Sequence, residues 1–184
     1  MPDFLQTDRL VLRDFTEADA GLIYELNSDP EVMWFLTGGE PTPREVVSSR
    51  IIPFFLSFHE RDDGLGFWAA QTRDGGEFLG WFHLKPAAGG SVELGYRLRR
   101  AAWNNGYATE GSRALIRKCF TDLGVDRVVA HTMAVNRPSR RVLEKCGMNP
   151  VRSFHSDDTP AIPGADQGEV EYAVTRTQWQ AAVA

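Results

Sequence analysis

The stretch from Ser91 to Gly111 holds the residues best placed for chemistry. It reads Ser-Val-Glu-Leu-Gly-Tyr-Arg-Leu, then Arg-Arg-Ala-Ala-Trp-Asn-Asn, then Gly-Tyr-Ala-Thr-Glu-Gly. Val92, Leu94, Tyr96 and Leu98 alternate with Glu93, Gly95 and Arg97, which is the period of a strand. Leu115, Ile116, Cys119, Phe120 and Leu123 then recur at helical spacing. A strand that passes into a helix through an Asn-Asn-Gly turn leaves the first helical N–H groups unpaired at the positive end of the dipole. Such a corner suits an anion, most often a phosphate. Three readings compete: a nucleotide loop, a coenzyme A pyrophosphate site, and an ordinary turn. A mononucleotide P-loop needs Lys and Ser or Thr after its last glycine, whereas Tyr107 and Ala108 follow Gly106. A dinucleotide fingerprint needs three spaced glycines, and only Gly106 and Gly111 are present. The bare pattern therefore favours the ordinary turn.

A resemblance changes that balance. Trp103-Asn104-Asn105-Gly106-Tyr107-Ala108-Thr109-Glu110 resembles the acetyl-CoA pyrophosphate loop of the GNAT N-acetyltransferase superfamily. The Trp start, the Tyr-Ala-Thr-Glu continuation and the preceding Glu-Leu-Gly-Tyr are similar to its ribosomal-protein-alanine N-acetyltransferase branch. So are Thr7-Asp8-Arg9-Leu10-Val11-Leu12-Arg13, Asn136-Arg137-Pro138-Ser139 and Leu143-Glu144-Lys145-Cys146-Gly147. These separated motifs occur in the family's order and together cover nearly the whole chain.

The resemblance implies an α/β (α+β) fold, with a mixed, mostly antiparallel seven-stranded sheet flanked by helices on both faces. It implies acetyl-CoA as acyl donor, no metal, and direct transfer to a primary amine of a protein N-terminus or small molecule. A homodimer is common in the family. The rival from another class is a non-catalytic acyl-CoA-binding module, which would keep the Gly106 loop and lose the acid and the base.

Site residues follow from the same resemblance. The main chain at Tyr96, Arg97 and Leu98 would pair with the pantetheine arm. Trp103, Asn104, Asn105, Gly106, Tyr107, Ala108 and Thr109 would form the pyrophosphate loop, mostly through backbone N–H groups. Asn104 and Asn105 stand where the family often has a glycine and a basic residue, so Arg99 or Arg100 would have to supply any phosphate-pairing charge. Glu93 is the expected general base, against a plain reading as a strand carboxylate, and His83 would face it in a simple hairpin register. Ser139 is the expected proton donor to the coenzyme sulfur, against a reading as helix cap. Asn136 would hydrogen-bond the coenzyme, and Arg141, with Arg140 and Lys145, would meet its 3′-phosphate. His131 reads as packed beside its strand. His155 and the acidic Asp157, Asp158 and Asp166 read as an exposed loop able to draw in a cationic amine.

These residues need a scaffold, and the composition supports one. A chain of 184 residues, 42% of them hydrophobic, has enough length for one domain spanning 1–184. A formal net charge of −5 disfavours a nucleic-acid binder. No apolar run approaches a bilayer span, and the opening residues lack a signal-peptide pattern. Cys119 and Cys146 form no metal-ligand spacing and read as core, consistent with the reducing cytoplasm. Strands are predicted over 10–15, 67–72, 77–84, 92–98, 127–132, 151–154 and 169–175. Asp29-Pro30 and Thr42-Pro43-Arg44-Glu45 read as helix starts. Pro53 must kink or split the second of these helices. A strand, the Gly106 helix and a strand suggest a parallel crossover.

Overall fold

The computed structural model describes residues 3–59, 61, 63–157 and 159–183. Its strands are β1 (Leu5–Gln6), β2 (Leu10–Asp14), β3 (Gly66–Thr72), β4 (Phe78–Pro86), β5 (Val92–Leu98), β6 (Arg127–Met133), β7 (Asn149–Phe154) and β8 (Glu169–Thr175). They form one sheet in the order β1-β2-β3-β4-β5-β6-β8-β7. Among the described residues, only β5 and β6 run parallel, across the crossover helix α5 (Tyr107–Thr121). The expected mixed, mostly antiparallel sheet is therefore present, with eight strands instead of seven. The added β1 is two residues long, too short for its periodicity to register in sequence.

Alternation along the strands divides the interior in two. Leu94 and Leu98 join Phe82 and Leu84 on one face, covered by Leu115, Ile116 and Phe120 of α5 and by Leu143 of α6 (Arg137–Lys145). The other face carries Phe67 and Trp81, covered by Ile23 and Leu26 of α1 (Ala20–Leu26) and by Ile52 and Phe55. Gly111 lets α5 lie close on the sheet, since a Cβ there would come 2.5 Å from the Phe82 ring.

On this second face lie α2 (Pro30–Thr37) and a broken helix. In α2 the Asp29 carboxylate accepts the Glu31 N–H at 2.9 Å, with Pro30 in the first turn. The next segment splits as Pro53 demands, into α3 (Arg44–Val46), a π-turn (Val47–Ile51) and α4 (Ile52–Leu56). The capping box expected at Thr42 is absent. Pro43 occupies the cap position without a side-chain bond, and the Thr42 N–H donates to the Asn27 carbonyl at 3.1 Å. The terminal helix is α7 (Arg176–Val183). No helix among the described residues is long and apolar enough to cross a membrane.

Candidate active site

The two faces of the sheet meet functionally at β5. Although β5 and β6 each span seven residues, they register only at Val92 with Val128 and Glu93 with Val129. Beyond Glu93 the strands part, leaving the edge of β5 at Tyr96, Arg97 and Leu98 without a parallel partner. The chain then turns through Asn104 (φ 61°) and Gly106 (φ 82°), both left-handed, into α5. Only Gly and, at some cost, Asn take that backbone readily. No side chain caps α5, so its first-turn N–H groups point at this notch.

The loop is braced from afar. The Thr7 hydroxyl donates to Glu110 Oε1 at 2.6 Å, and Arg9 donates through Nε to Glu110 Oε2 at 2.7 Å. Arg9 also reaches the Asn105 carbonyl at 2.9 Å. The Trp103 indole donates to the Leu98 carbonyl at 2.9 Å. Two motifs a hundred residues apart thus form one mechanical unit. Arg99 and Arg100 are turned elsewhere, Arg99 to the Phe78 carbonyl and Arg100 to Glu31. The loop's basic neighbour is Arg9, which sequence reasoning did not single out.

Across the notch, the Tyr96 hydroxyl lies 3.2 Å from Ser139 Oγ. Burial pushes the Tyr96 phenol up to about 12, against the opposing bond from Ser139. The cap of α6 is Asn136, whose Oδ1 accepts the Ser139 N–H at 3.2 Å. The Ser139 hydroxyl is thereby left to Tyr96, not spent on the cap. Arg141 is exposed on α6, while Arg140 is held by the Tyr172 hydroxyl and the Ala134 carbonyl. Both thiols are buried and pushed up, Cys119 to about 12 and Cys146 to about 11, which makes neither a nucleophile at neutral pH.

The opposite face of β5 carries a cluster of charged side chains. The hairpin register pairs Lys85 with Glu93 and His83 with Gly95, so His83 is not the direct partner of Glu93 that a simple turn predicts. Two consecutive left-handed glycines, Gly89 and Gly90, move the bend toward β5. Gly95 makes room for His83, because a Cβ there would sit 2.4 Å from its ring. Lys85 Nζ is 2.9 Å from Glu93 Oε1, His83 Nε2 is 3.6 Å from it, and His131 Nδ1 is 3.5 Å from Oε2. The 3.6 Å contact is too long for a hydrogen bond and becomes an ion pair only when His83 is protonated. Burial alone would raise the Glu93 carboxyl, but the neighbouring His131, His83 and Lys85 hold it far below the carboxylate range. Burial pushes His83 down, whereas Glu93, over the opposing effect of burial, and then Glu171 push His131 up. Glu171, 3.3 Å from His131 Nε2, is itself held by Arg127 and Arg152.

His83 and Lys85 open into a cavity of about 580 Å³. Phe54, Phe55, Phe67 and Trp81 form its aromatic wall. Asn27 and Arg50, from the helical cover, and Arg97, from β5, add polar groups. Lys85, Asn27 and the Arg97 side chain were not foreseen as site groups. The signal for Lys85 was its place two residues past His83, on the same strand face. His155 lies apart from this cavity, beside the Asp166 carbonyl, and Asp158 lies outside the described residues. No cluster of metal-ligating side chains occurs among the described residues.

Residues 9–149 match the family model of the acetyltransferase (GNAT) domain. The chain is 33% identical over 186 residues to the FsC-acetyl coenzyme A-N(2)-transacetylase of Aspergillus fumigatus, covering 95% of this chain and 77% of that protein. It is 31% identical over 145 residues to the uncharacterized N-acetyltransferase YoaA of Bacillus subtilis, covering 78% and 81%. Among solved structures, aminoglycoside acetyltransferase AAC(6')-Ib in complex with coenzyme A superposes with a TM-score of 0.74 at 20% identity, over 95% and 99% of the two chains. Spermidine N-acetyltransferase from Vibrio cholerae with CoA and spermine gives 0.75 at 14%, again over 95% and 99%. These last two likenesses establish the fold.

Proposed function

We propose that this chain, which belongs to the GNAT acetyltransferase family, passes the acetyl group of acetyl-CoA directly to a primary amine of a small molecule. That it is an acetyl-CoA-dependent N-acetyltransferase follows from the family; the acceptor class and the residue roles are our reading. The carrying observation is that β5 has an open edge beyond Glu93 and, against the face that carries Arg97, an aromatic-walled cavity of small-molecule size. The resemblance to the ribosomal-protein-alanine branch points to a protein N-terminus instead. A walled aromatic cavity supports the smaller acceptor, as does the relative named for transfer to an N(2) position.

The residues present fit the coenzyme. Gly106 and the uncapped N–H groups of Tyr107, Ala108 and Thr109 suit the pyrophosphate, with Trp103, Asn104 and Asn105 shaping the turn. The free edge at Tyr96, Arg97 and Leu98 suits the amide-bearing arm, and Asn136 and Arg141 lie on the far wall. When bound, acetyl-CoA supplies an activated thioester. His83, kept neutral by burial, takes the proton that the attacking amine loses. Glu93 balances the charge that then develops on His83, while Lys85 and His131 keep Glu93 ionised. Ser139 Oγ, backed by the Tyr96 hydroxyl, holds the proton destined for the departing sulfur. Binding and orientation supply much of the remaining acceleration.

The test is thiol release from acetyl-CoA across a panel of peptides, polyamines, aminoglycosides and amino compounds. Release with a small amine, exceeding that with peptides bearing free N-termini, is the expected result. Peptide-only release would return the acceptor to a protein N-terminus. Tight acetyl-CoA binding with silence throughout would leave a binding module.

A further inference from the structure

The cavity concentrates polar groups that have no partner. Among the described residues, six buried side-chain nitrogen or oxygen atoms lack a hydrogen bond, and four of them belong to Trp81, His83 and Arg97. Trp81 and Arg97 are direct cross-strand partners, and the guanidinium carbon lies 5.2 Å from the Trp81 ring centre. The unpaired atoms there are the Trp81 indole N–H and the Arg97 Nε–H, both donors.

Among the described residues, Arg97 also has no counter-ion. Several other arginines meet carboxylates: Arg9 meets Glu110, Arg13 meets Asp19, Arg100 meets Glu31, and Arg127 and Arg152 meet Glu171. Arg97 instead donates to a neutral amide, Asn27 Oδ1, at 2.5 Å. Burial pushes the guanidinium down to about 10, with no carboxylate acting against it. A desolvated cation with an idle donor edge is costly unless something anionic completes it. Arg50 and Lys85 add positive charge to the same cavity, and Glu93 is already engaged by Lys85.

We propose that Arg97, with the Trp81 indole N–H, is a carboxylate-binding subsite, and that the acceptor is an amino acid-like molecule carrying both a primary amine and a carboxylate. This deepens the small-amine reading above and rests on it. His83 stands opposite Gly95, and Arg97 is one same-face step further along β5, about 7 Å. An amine at His83 and a carboxylate at Arg97 therefore fit one compact molecule, with Phe55, Phe67 and Trp81 covering an apolar side chain. Polycations such as polyamines would meet like charge.

The experiment compares matched acceptors that differ only in the acid: phenylalanine against its amide and phenethylamine, and tryptophan against its amide and tryptamine. Thiol release gives kcat/KM for each, in the unaltered protein and in Arg97→Met. Binding of the same compounds in the presence of coenzyme A is followed in parallel by tryptophan fluorescence. The expected result is at least a tenfold preference for the free acids, reduced to about unity in Arg97→Met through loss on the acids. Equal or better use of the amides by the unaltered protein would overturn the subsite while leaving the small-amine reading intact. Acid binding that needs Arg97 without any turnover would support the subsite and overturn the reading that its occupant is the acceptor. Neither binding nor turnover of any acid would overturn the subsite.

Discussion

The two sides of β5 are built by different means. On the side proposed for the coenzyme, the features that shape the backbone are local: a left-handed Gly106, an uncapped helix start, and a cap at Asn136 three residues before Ser139. On the side proposed for the acceptor, the features that set the charges are contacts over long sequence distances: Arg97 with Asn27, Glu93 with His131, and His131 with Glu171. The first side is backbone geometry fixed by a few residue types. The second is a set of charges whose properties depend on what packs around them. One consequence is that the coenzyme side tolerates side-chain changes that preserve backbone, while the acceptor side is sensitive to loss of a single charge.

The largest expected effect therefore lies on the acceptor side. His83→Gln keeps a polar side chain but removes the proposed proton acceptor, and kcat should fall about 10²-fold or more. Glu93→Gln tests how the pair works. Glu93 raises the pKa of His83 against the larger lowering by burial, so its removal lets that pKa fall further. The acid limb of the pH–rate profile, already below the ordinary histidine value, should move to still lower pH as turnover drops. An acid limb that stays in place would sever the proposed link between the two residues.

Next comes the coenzyme side, where the same comparison predicts binding defects instead. Gly106→Ala forces a Cβ onto a backbone at φ 82° and should cost about 1–2 kcal/mol of the loop's conformation. Acetyl-CoA affinity, measured by calorimetry, should weaken while kcat at saturation changes less. A kcat loss with unchanged affinity would contradict the division between the two sides.

That division also explains what could be read in the sequence. The α5 start, the parallel crossover and the strands from 66 onward all rest on periods and turn residues within short windows, and they stand as expected. The Thr42 capping box did not form, because Pro43 takes the cap position and the Thr42 N–H is drawn to Asn27. His83 was expected opposite Glu93, but the paired glycines at 89 and 90 shifted the register so that Lys85 took that place. Arg97 was expected to serve through its main chain. Nothing within its own strand reveals that its side chain reaches a buried asparagine seventy residues away. The brace of Thr7 and Arg9 on Glu110 was hidden in the same way, although both motifs were visible separately.

The brace gives a smaller, intermediate test. Burial raises the Glu110 carboxyl, but bonds from Thr7 and Arg9 bring it below the carboxylate range. A depressed carboxyl contributes stability above its unfolded pKa, near 4.3, and loses it as pH falls through the folded value. Glu110→Gln should therefore cost about 1 kcal/mol at neutral pH, the half-exposed Arg9 limiting the effect, and the difference should shrink in acid. Equal stability at pH 7 in urea titrations would mean that the brace is held by the remaining contacts.

The smallest expected effect is also the most diagnostic of the charged cluster, because its two histidines have opposite signs. His83 is pushed down by burial, so the unfolded chain binds the proton more readily than the folded one. Stability must then rise with pH up to the unfolded histidine value, near 6.5. His131 is pushed up, first by Glu93 and next by Glu171, so its contribution is complete below about 6.5 and is lost as pH rises through its folded value. Together they give a stability maximum near pH 6.5, modest in height because His131 is half-exposed. His131→Gln should remove the decline on the alkaline side and leave the rise on the acid side. His83→Gln should do the reverse. Urea midpoints between pH 5 and 8 measure both, and identical curves for the two variants would mean that the histidines do not hold these opposed protonation states.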